Sequence, residues 1–221
     1  MISFKQYVEE GVNDPAIFKA VFLAGGPGSG KSFIVGKTGL PALGYRPINS
    51  DIAFEKAMEK AKLDMTPENI FSYQGQDLRK KAKKMTSRIQ ERYIKGRLGL
   101  VIDGTGKDAD KIKKQANSLK ELGYDTALIF VNTDLETALN RNRMRARSLP
   151  DQEVEKYWKS VQKNIGAFQT MFGNNFIVVD NSEGDDLQAE TLRAYKKISK
   201  FTNEPVKNEI ARKWIKQQKE K

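Results

Sequence analysis

Neither cysteine nor histidine occurs anywhere in the 221 residues. The two absences remove whole classes of chemistry. There can be no disulfide framework, no structural zinc site of the usual thiolate and imidazole kinds, and no zinc or haem partner is expected. Ser-His-Asp and Cys-His nucleophilic machinery is excluded as well. Acid–base work must fall to carboxylates, lysine, tyrosine or a hydroxyl. Any metal must be held by oxygen, which points to a magnesium-like ion. Long apolar runs are also missing. No stretch of about eighteen such residues exists, so no membrane span is expected. The opening Met1-Ile2-Ser3-Phe4-Lys5-Gln6-Tyr7-Val8 lacks the apolar core of a signal peptide and reads, over residues 1–17, as a short amphipathic helix or a docked arm. A soluble cytoplasmic protein is the expectation, and the missing cysteine fits a reducing compartment.

Acid is the scarcer charge, with 28 Asp and Glu against 39 Lys and Arg, a formal +11. The excess is concentrated. Residues 79–97 hold Arg79, Lys80, Lys81, Lys83, Lys84, Arg88, Arg92, Lys95 and Arg97 against Glu91 alone, and residues 193–221 are almost as basic. Two basic blocks on a mildly acidic body form a directed electrostatic footprint for a polyanion, although solvated helix faces give the same pattern.

Apolar periodicity orders the elements. Phe18 to Ala24 reads as a buried strand, followed by a helix from Lys31 that stops at Gly39-Leu40-Pro41. Tyr45 to Asn49 is a second strand, Asp51 to Leu63 a helix, and Leu63 to Gln76 a loop with one helical turn. Leu78, Ala82, Met85, Ile89 and Tyr93 make one apolar stripe on a helix over 77–95, with Gly96 as its cap. Strands at 98–103, 126–131 and 176–180 alternate with helices at 107–122, after a capping box at Thr133-Asp134-Leu135-Glu136, and at 150–172. Basic helical sequence closes the chain from Asp186, with a break at Pro205. Mostly apolar strands alternating with helices mean a parallel α/β sheet covered on both faces. Residues 18–182 form one domain and 183–221 a basic extension packed on it, too short to bury a core of its own.

Gly25-Gly26-Pro27-Gly28-Ser29-Gly30-Lys31-Ser32 fits G-x-x-x-x-G-K-[ST] without a mismatch, directly after a strand and opening a helix. That context is what the chemistry needs. Glycines let backbone N–H groups converge on phosphate oxygens at a helix N-terminus. Lys31 would reach the β- and γ-phosphates of ATP, and the Ser32 hydroxyl would bind Mg²⁺.

Val101-Ile102-Asp103-Gly104-Thr105-Gly106 places a carboxylate at the end of an apolar strand, a Walker B position that holds Mg²⁺ directly or through water. Thr105 would orient water or acceptor. Asp51 follows the second strand and falls on the same sheet edge. With no histidine available, a carboxylate is the natural acceptor for the proton of an attacking hydroxyl. The alternative is that Asp51 caps the helix beginning at 52. Arg141, Arg143, Arg145 and Arg147 lie near a helix end. On a wheel, Leu135, Ala138, Leu139, Asn142 and Ala146 share the buried face, which puts Arg141 and Arg145 on one flank and Arg143 and Arg147 on the other. Phosphoryl transfer needs positive charge around the γ-phosphate. Arg141 and Arg145 are the expected catalytic pair, and Arg143 and Arg147 the expected additional ATP contacts.

Together, Gly25 to Ser32, Asn49-Ser50-Asp51, Asp103-Gly104-Thr105-Gly106 and the arginines at 141–147 resemble the P-loop kinases grouped with phage polynucleotide kinase and zeta toxins. The resemblance covers roughly residues 18–182. It implies a P-loop NTPase fold with a five-stranded parallel sheet ordered 2-3-1-4-5 and an arginine-rich lid. It also implies ATP γ-phosphate transfer to a hydroxyl, with Asp51 as base and Mg²⁺ as cofactor. The segment between Asp51 and Leu98, which would carry the acceptor site, matches neither family, and neither does the C-terminal extension. Met1 to Glu10 loosely resembles the start of many tailed-phage proteins, which would mean a host cytoplasm.

Three functions follow. The leading one is a kinase acting on a hydroxyl of a nucleic acid, at a 5′-end or modified base, or of a nucleotide. Lys80, Lys83, Lys84 and Arg88 would then contact acceptor phosphates. A second is a zeta-type kinase of a nucleotide sugar or other small molecule. A third is an ATP-gated binding protein, against which Asp51 argues, because a switch needs no base for an alcohol.

Overall fold

The computed structural model describes residues 11–145, 148–184 and 186–220. The reading of residues 1–10 as a helix or arm therefore lies outside the described residues. Five strands, β1 (Lys19–Ala24), β2 (Arg46–Ile48), β3 (Leu100–Asp103), β4 (Asp125–Asn132) and β5 (Phe176–Asp180), form one sheet in the order β2-β3-β1-β4-β5. Every neighbouring pair is parallel. The predicted architecture and strand order are both found.

Alternation along the strands splits the core in two. Phe22, Ile102, Leu128 and Phe130 point to one face, and Val21, Leu23, Val101, Ile129 and Val179 to the other. The second face is covered by α1 (Lys31–Lys37) and α9 (Leu187–Asn203), through Ile34, Ala194, Ile198 and Phe201. The first is covered by α5 (Ala109–Glu121), α7 (Asp151–Lys163), α8 (Ile165–Phe172) and α10 (Glu209–Lys219). Val206 and Ala211 are buried in that same cluster, and Trp214 packs on it, so the basic extension contributes to the main core. Pro205 separates α9 from α10, as its missing N–H requires.

Between β2 and β3 lies the part that the sequence pattern resolved least. It consists of α2 (Ser50–Lys60), α3 (Pro67–Phe71) and α4 (Tyr73–Lys95). Phe54, Met58, Ile70 and Ala82 close a small core of their own among these helices. The loop with one helical turn expected over 63–76 holds that turn as α3, and its last residues from Tyr73 already belong to α4. Thr66 caps α3 with Pro67 at its first position, and the Ser72 hydroxyl accepts from the Gly75 amide to start α4. Gly75 lies in the first turn of α4. A Cβ on it would stand 2.0 Å from the Asn69 carbonyl, so it is the residue that lets α3 approach α4. The apolar stripe of α4 also does not form one contact line. Leu78 and Ala82 serve the small core, Ile89 and Tyr93 serve the main one, and Met85, between the two, is 52% exposed.

Two more boundaries move. The helix expected over 150–172 breaks at Asn164, whose side-chain amide donates to the Gly106 carbonyl at 2.9 Å. The helix α6 (Leu135–Arg143) is capped by Asp134, which accepts from the Thr137 amide at 2.7 Å, rather than by Thr133. No helix among the described residues is long and apolar enough to cross a membrane.

At the amino end of the sheet Lys19 is 1% exposed. Its ammonium meets Asp125 at 3.1 Å and lies over the Phe201 ring. Asp125 also accepts the backbone amides of Lys207 and Asn208, and so ties the α9–α10 connection to β4. Removing one partner of a buried pair leaves the other charge uncompensated. Asp125→Ala should lower the unfolding free energy by about 3–5 kcal/mol. Urea denaturation checks it, and a midpoint at the wild-type value would show the pair to be idle.

Candidate active site

The parallel register decides which groups meet. Ile48 pairs with Ile102, and Leu23 pairs with Asp103. The residues just beyond these positions, Asn49 after β2 and the glycine loop after β1, therefore emerge beside Asp103 at one carboxyl edge. That edge is where parallel sheets bind ligands.

The loop itself is shaped by glycine. Gly28 and Gly30 adopt φ of 77° and 83°. A Cβ at Gly28 would stand 2.3 Å from the Ala138 carbonyl, and one at Gly30 would stand 2.4 Å from the Asn181 amide. Lys31 opens α1 and folds back so that its Nζ donates to the Gly25 carbonyl at 2.6 Å. Burial pushes its ammonium below the ordinary lysine value. Asp103 opposes that shift, Arg145 adds to it, and Asp51 opposes it. Lys31 thus feels the charges of Asp103, Arg145 and Asp51, which come from three other places in the chain. Ser32 is exposed beside them, as a metal-binding hydroxyl must be.

Asp103 shows what the site has room for. Its Oδ2 accepts from the Asn49 side-chain amide at 2.6 Å, while its buried Oδ1 has no hydrogen-bond partner. Burial raises its carboxyl above the usual range, and Lys31 pulls it back. An orphaned carboxylate oxygen fits a hard divalent cation, and the exposed Ser32 hydroxyl follows Lys31, whose charge reaches Asp103. No group of three acids that could cage a metal occurs among the described residues. Mg²⁺ here would take the rest of its oxygen ligands from phosphate and water.

Asn49 carries a second duty that the sequence did not reveal. Its Oδ1 accepts from the Asp51 amide at 2.7 Å, so Asn49, not Asp51, caps α2. Asp51 is left exposed in the first turn with its carboxylate free of the capping role. Asn181 is a further residue that was missed. It is 4% exposed, follows β5, and donates from its side chain to the Ser29 carbonyl at 2.7 Å. Its own carbonyl accepts from Arg141 at 2.8 Å. The signal for it was its position, immediately past an apolar strand at the ligand edge.

The arginines separate differently from the wheel. The helix α6 ends at Arg143 because Asn142 turns inward and clasps both backbone groups of Leu149, at 2.7 and 3.0 Å. The buried face consists of Thr137, Ala138 and Asn142, with Leu135 and Leu139 only half-buried, and Ala146 lies outside the described residues. Arg141 is docked beside the loop by a neutral carbonyl, which leaves its charge uncompensated. Arg145 is exposed and within electrostatic reach of Lys31. Arg143 has a partner that the wheel does not show. It gives two N–H groups to Asp151 on α7, and the pair braces α6 to α7. Arg147 lies outside the described residues.

On the remaining wall, the Thr105 carbonyl accepts from the Gly25 amide at 3.1 Å, and the Thr105 side chain is exposed. Trp158 of α7 is held by the Thr133 carbonyl and backs onto Gly26. Lys80, Lys83, Lys84 and Arg88 face solvent, on the sides of α4 away from buried Ala82.

A glycine loop opening a helix after β1, a five-stranded 2-3-1-4-5 sheet and acids at the ends of β2 and β3 define the P-loop kinase fold. The chain belongs to the AAA domain family, whose model matches residues 21–165. Among solved structures it is similar to a gluconokinase from Sinorhizobium meliloti 1021, with 15% identity, 84% of this chain and 94% of that one covered, and a TM-score of 0.50. It is also similar to a chain of the Pnkp1/Rnl/Hen1 RNA repair complex, with 19% identity, 68% and 46% covered, and a TM-score of 0.52. A third similarity is to the PezAT chromosomal toxin–antitoxin system of Streptococcus pneumoniae, with 16% identity, 85% and 88% covered, and a TM-score of 0.52. A search of curated proteins found no match.

Proposed function

We propose that this chain transfers the γ-phosphate of ATP to a hydroxyl of a nucleotide or a nucleic acid, with Asp51 as general base. The observation that carries the reading is the convergence of Lys31, Asp51, Asp103 and Arg145 at the mouth of the glycine loop, with Asn49 relieving Asp51 of capping. The backbone N–H groups of Gly28, Gly30, Lys31 and Ser32 bind the phosphates, and Lys31 leaves the Gly25 carbonyl to reach the β- and γ-oxygens. Ser32 and Asp103 would hold Mg²⁺, which would supply neutralisation of the phosphate charge. Asp51 takes the proton of the acceptor hydroxyl as its oxygen bonds the γ-phosphorus. The bond to the bridging oxygen breaks, and ADP leaves. Arg141 and Arg145 stabilise the charge on the transferring group. Thr105 lies on the acceptor side.

Asp103→Asn should keep the fold and raise the Mg²⁺ concentration needed for half-maximal activity, because the orphaned Oδ1 is the ligand removed. A Mg²⁺ titration at fixed ATP checks it, and an unchanged midpoint would remove Asp103 from the metal site.

The acceptor is settled by transfer from γ-labelled ATP to 5′-hydroxyl DNA and RNA, modified-base DNA, nucleosides and nucleotide sugars. Phosphorylation of nucleic acid or nucleotide supports the proposal. Exclusive phosphorylation of a nucleotide sugar would move the protein to the zeta-type reading. That alternative draws on the outward direction of Lys80, Lys83, Lys84 and Arg88, away from the packed face of α4. If α4 does carry a polymer, replacing Lys80, Lys83 and Lys84 with Gln should flatten the log–log salt dependence of oligonucleotide binding by about two to three units. Folding and ATP binding should be retained. Fluorescence anisotropy across a salt series reads the slope, and an unchanged slope would make the basic face structural.

A further inference from the structure

Of the basic residues on α4, Arg79 stands apart. It is half-buried, and its guanidinium lies over the Phe54 ring at 4.9 Å. On a helix it sits about 60° from buried Ala82, at the border of the packed face, whereas Lys80 and Lys84 lie about 160° away on the outer side. No carboxylate among the described residues pairs with it. Lys81, by contrast, pairs with Asp77 at 2.7 Å. A half-buried cation without a counter-charge is costly unless an anion joins it. Stacking also leaves the rim of N–H donors open, in the fork geometry that matches a phosphate.

The ring beneath Arg79 gives the location. Phe54 is on α2, one turn after Asp51, and helical side chains lean back toward the preceding turn. Arg79 is therefore held over the helix that presents the base, about one turn (~5.4 Å of rise) along it. Lys83 follows one turn later on α4, about 40° round, on the same flank. The positive block of α4 thus reaches the candidate site through Arg79 and Lys83 on this flank, not through Lys80 and Lys84 on the outer side.

Resting on the kinase reading above, we infer that Arg79, stacked on Phe54 and backed by Lys83, anchors a phosphate group of the acceptor and so delivers a phosphate-flanked hydroxyl to Asp51. The acceptor class is a nucleotide or a nucleic-acid end, rather than an uncharged polyol. The phosphate is either a terminal monoester or an internal diester, and both present the same oxygens to the guanidinium.

The test compares wild type, Arg79→Met and Arg79→Lys in steady-state transfer to an uncharged nucleoside, a nucleoside 3′-monophosphate and a 5′-hydroxyl oligonucleotide. The readout is the KM of each phosphate-bearing acceptor relative to that of the nucleoside. Deleting one charge-assisted hydrogen bond to the phosphate should raise that ratio roughly 10- to 100-fold in Arg79→Met. Arg79→Lys should restore part of it, and KM for ATP should stay at the wild-type value. A rise for both phosphate acceptors assigns the monoester as well as the diester, and a rise for the oligonucleotide alone assigns the diester. Methionine keeps apolar cover on Phe54. Should Arg79→Met fail to fold, the lysine variant carries the comparison, with a smaller rise expected. A ratio unchanged in the folded variants overturns the inference, as does a wild type that phosphorylates polyols and no phosphate-bearing acceptor. A wild type that transfers to no acceptor at all defeats the kinase reading itself, and the Arg79 assignment falls with it.

Discussion

Asp51→Asn will lower kcat by roughly 10²–10⁴-fold, the usual contribution of a positioned general base. Affinity for ATP and the Mg²⁺ requirement will stay near wild type. The expectation has two parts, and the structure separates them. Asparagine keeps the shape of aspartate and leaves the helix intact, because the cap of α2 is the Asn49 side chain bonded to the residue-51 amide. A loss of activity therefore cannot come from unravelling the first turn. Asparagine does not accept a proton near neutral pH, so the acceptor oxygen must attack while still protonated. Steady-state kinetics with ATP and acceptor varied separately checks this. A kcat within a few-fold of wild type would leave Asp51 as a charged neighbour of Lys31 and nothing more.

Lys31→Met will reduce kcat at least about 10²–10³-fold, as removal of one preorganised electrostatic group does elsewhere, and will weaken ATP binding in addition. It should not weaken the nucleotide-free protein. Burial holds the Lys31 ammonium below its ordinary value, with Arg145 pushing the same way. A group whose folded pKa is depressed disfavours its protonated state in the fold. The penalty is present in full below the folded value and fades as pH rises through it. At neutral pH methionine removes that penalty. The ATP-free variant should then melt at or above the wild-type temperature, while ATP with Mg²⁺ raises the melting temperature of wild type far more than that of the variant. Calorimetry with and without nucleotide measures both. A variant that melts well below wild type without nucleotide would mean that the hydrogen bond to Gly25 holds the fold and that the charge is not stored for ATP.

Legibility from sequence followed the range of the interaction. Gly25 to Ser32 could be read because the loop's conformation is local, and glycines at 25, 28 and 30 are set by positive φ within one turn. Four of the five strands could be read because burial leaves mostly apolar runs, whereas β2, at the sheet edge, buries only Ile48. What escaped depends on partners far away in the chain. Asn49 matters through Asp103, 54 residues on, and Asn181 matters through Ser29, 152 residues back. Neither has a local pattern beyond its place past a strand end. The partner of Arg143 was hidden for a similar reason. A wheel assumes that the helix continues, and Asn142 stops it by clasping Leu149. Arg143 then turns to Asp151, which a periodicity argument cannot see. Gly75 fell in a stretch read as loop because the close approach of Asn69 that requires it is a packing fact.

The fate of the γ-phosphate is the most direct test of the kinase reading. With γ-labelled ATP, Mg²⁺ and a panel of nucleotide and 5′-hydroxyl nucleic-acid acceptors, the expected result is label in an acid-stable phosphomonoester on the acceptor. That product should disappear in both Asp51→Asn and Lys31→Met. Label appearing only as inorganic phosphate, at a rate that Asp51→Asn leaves unchanged, would contradict it.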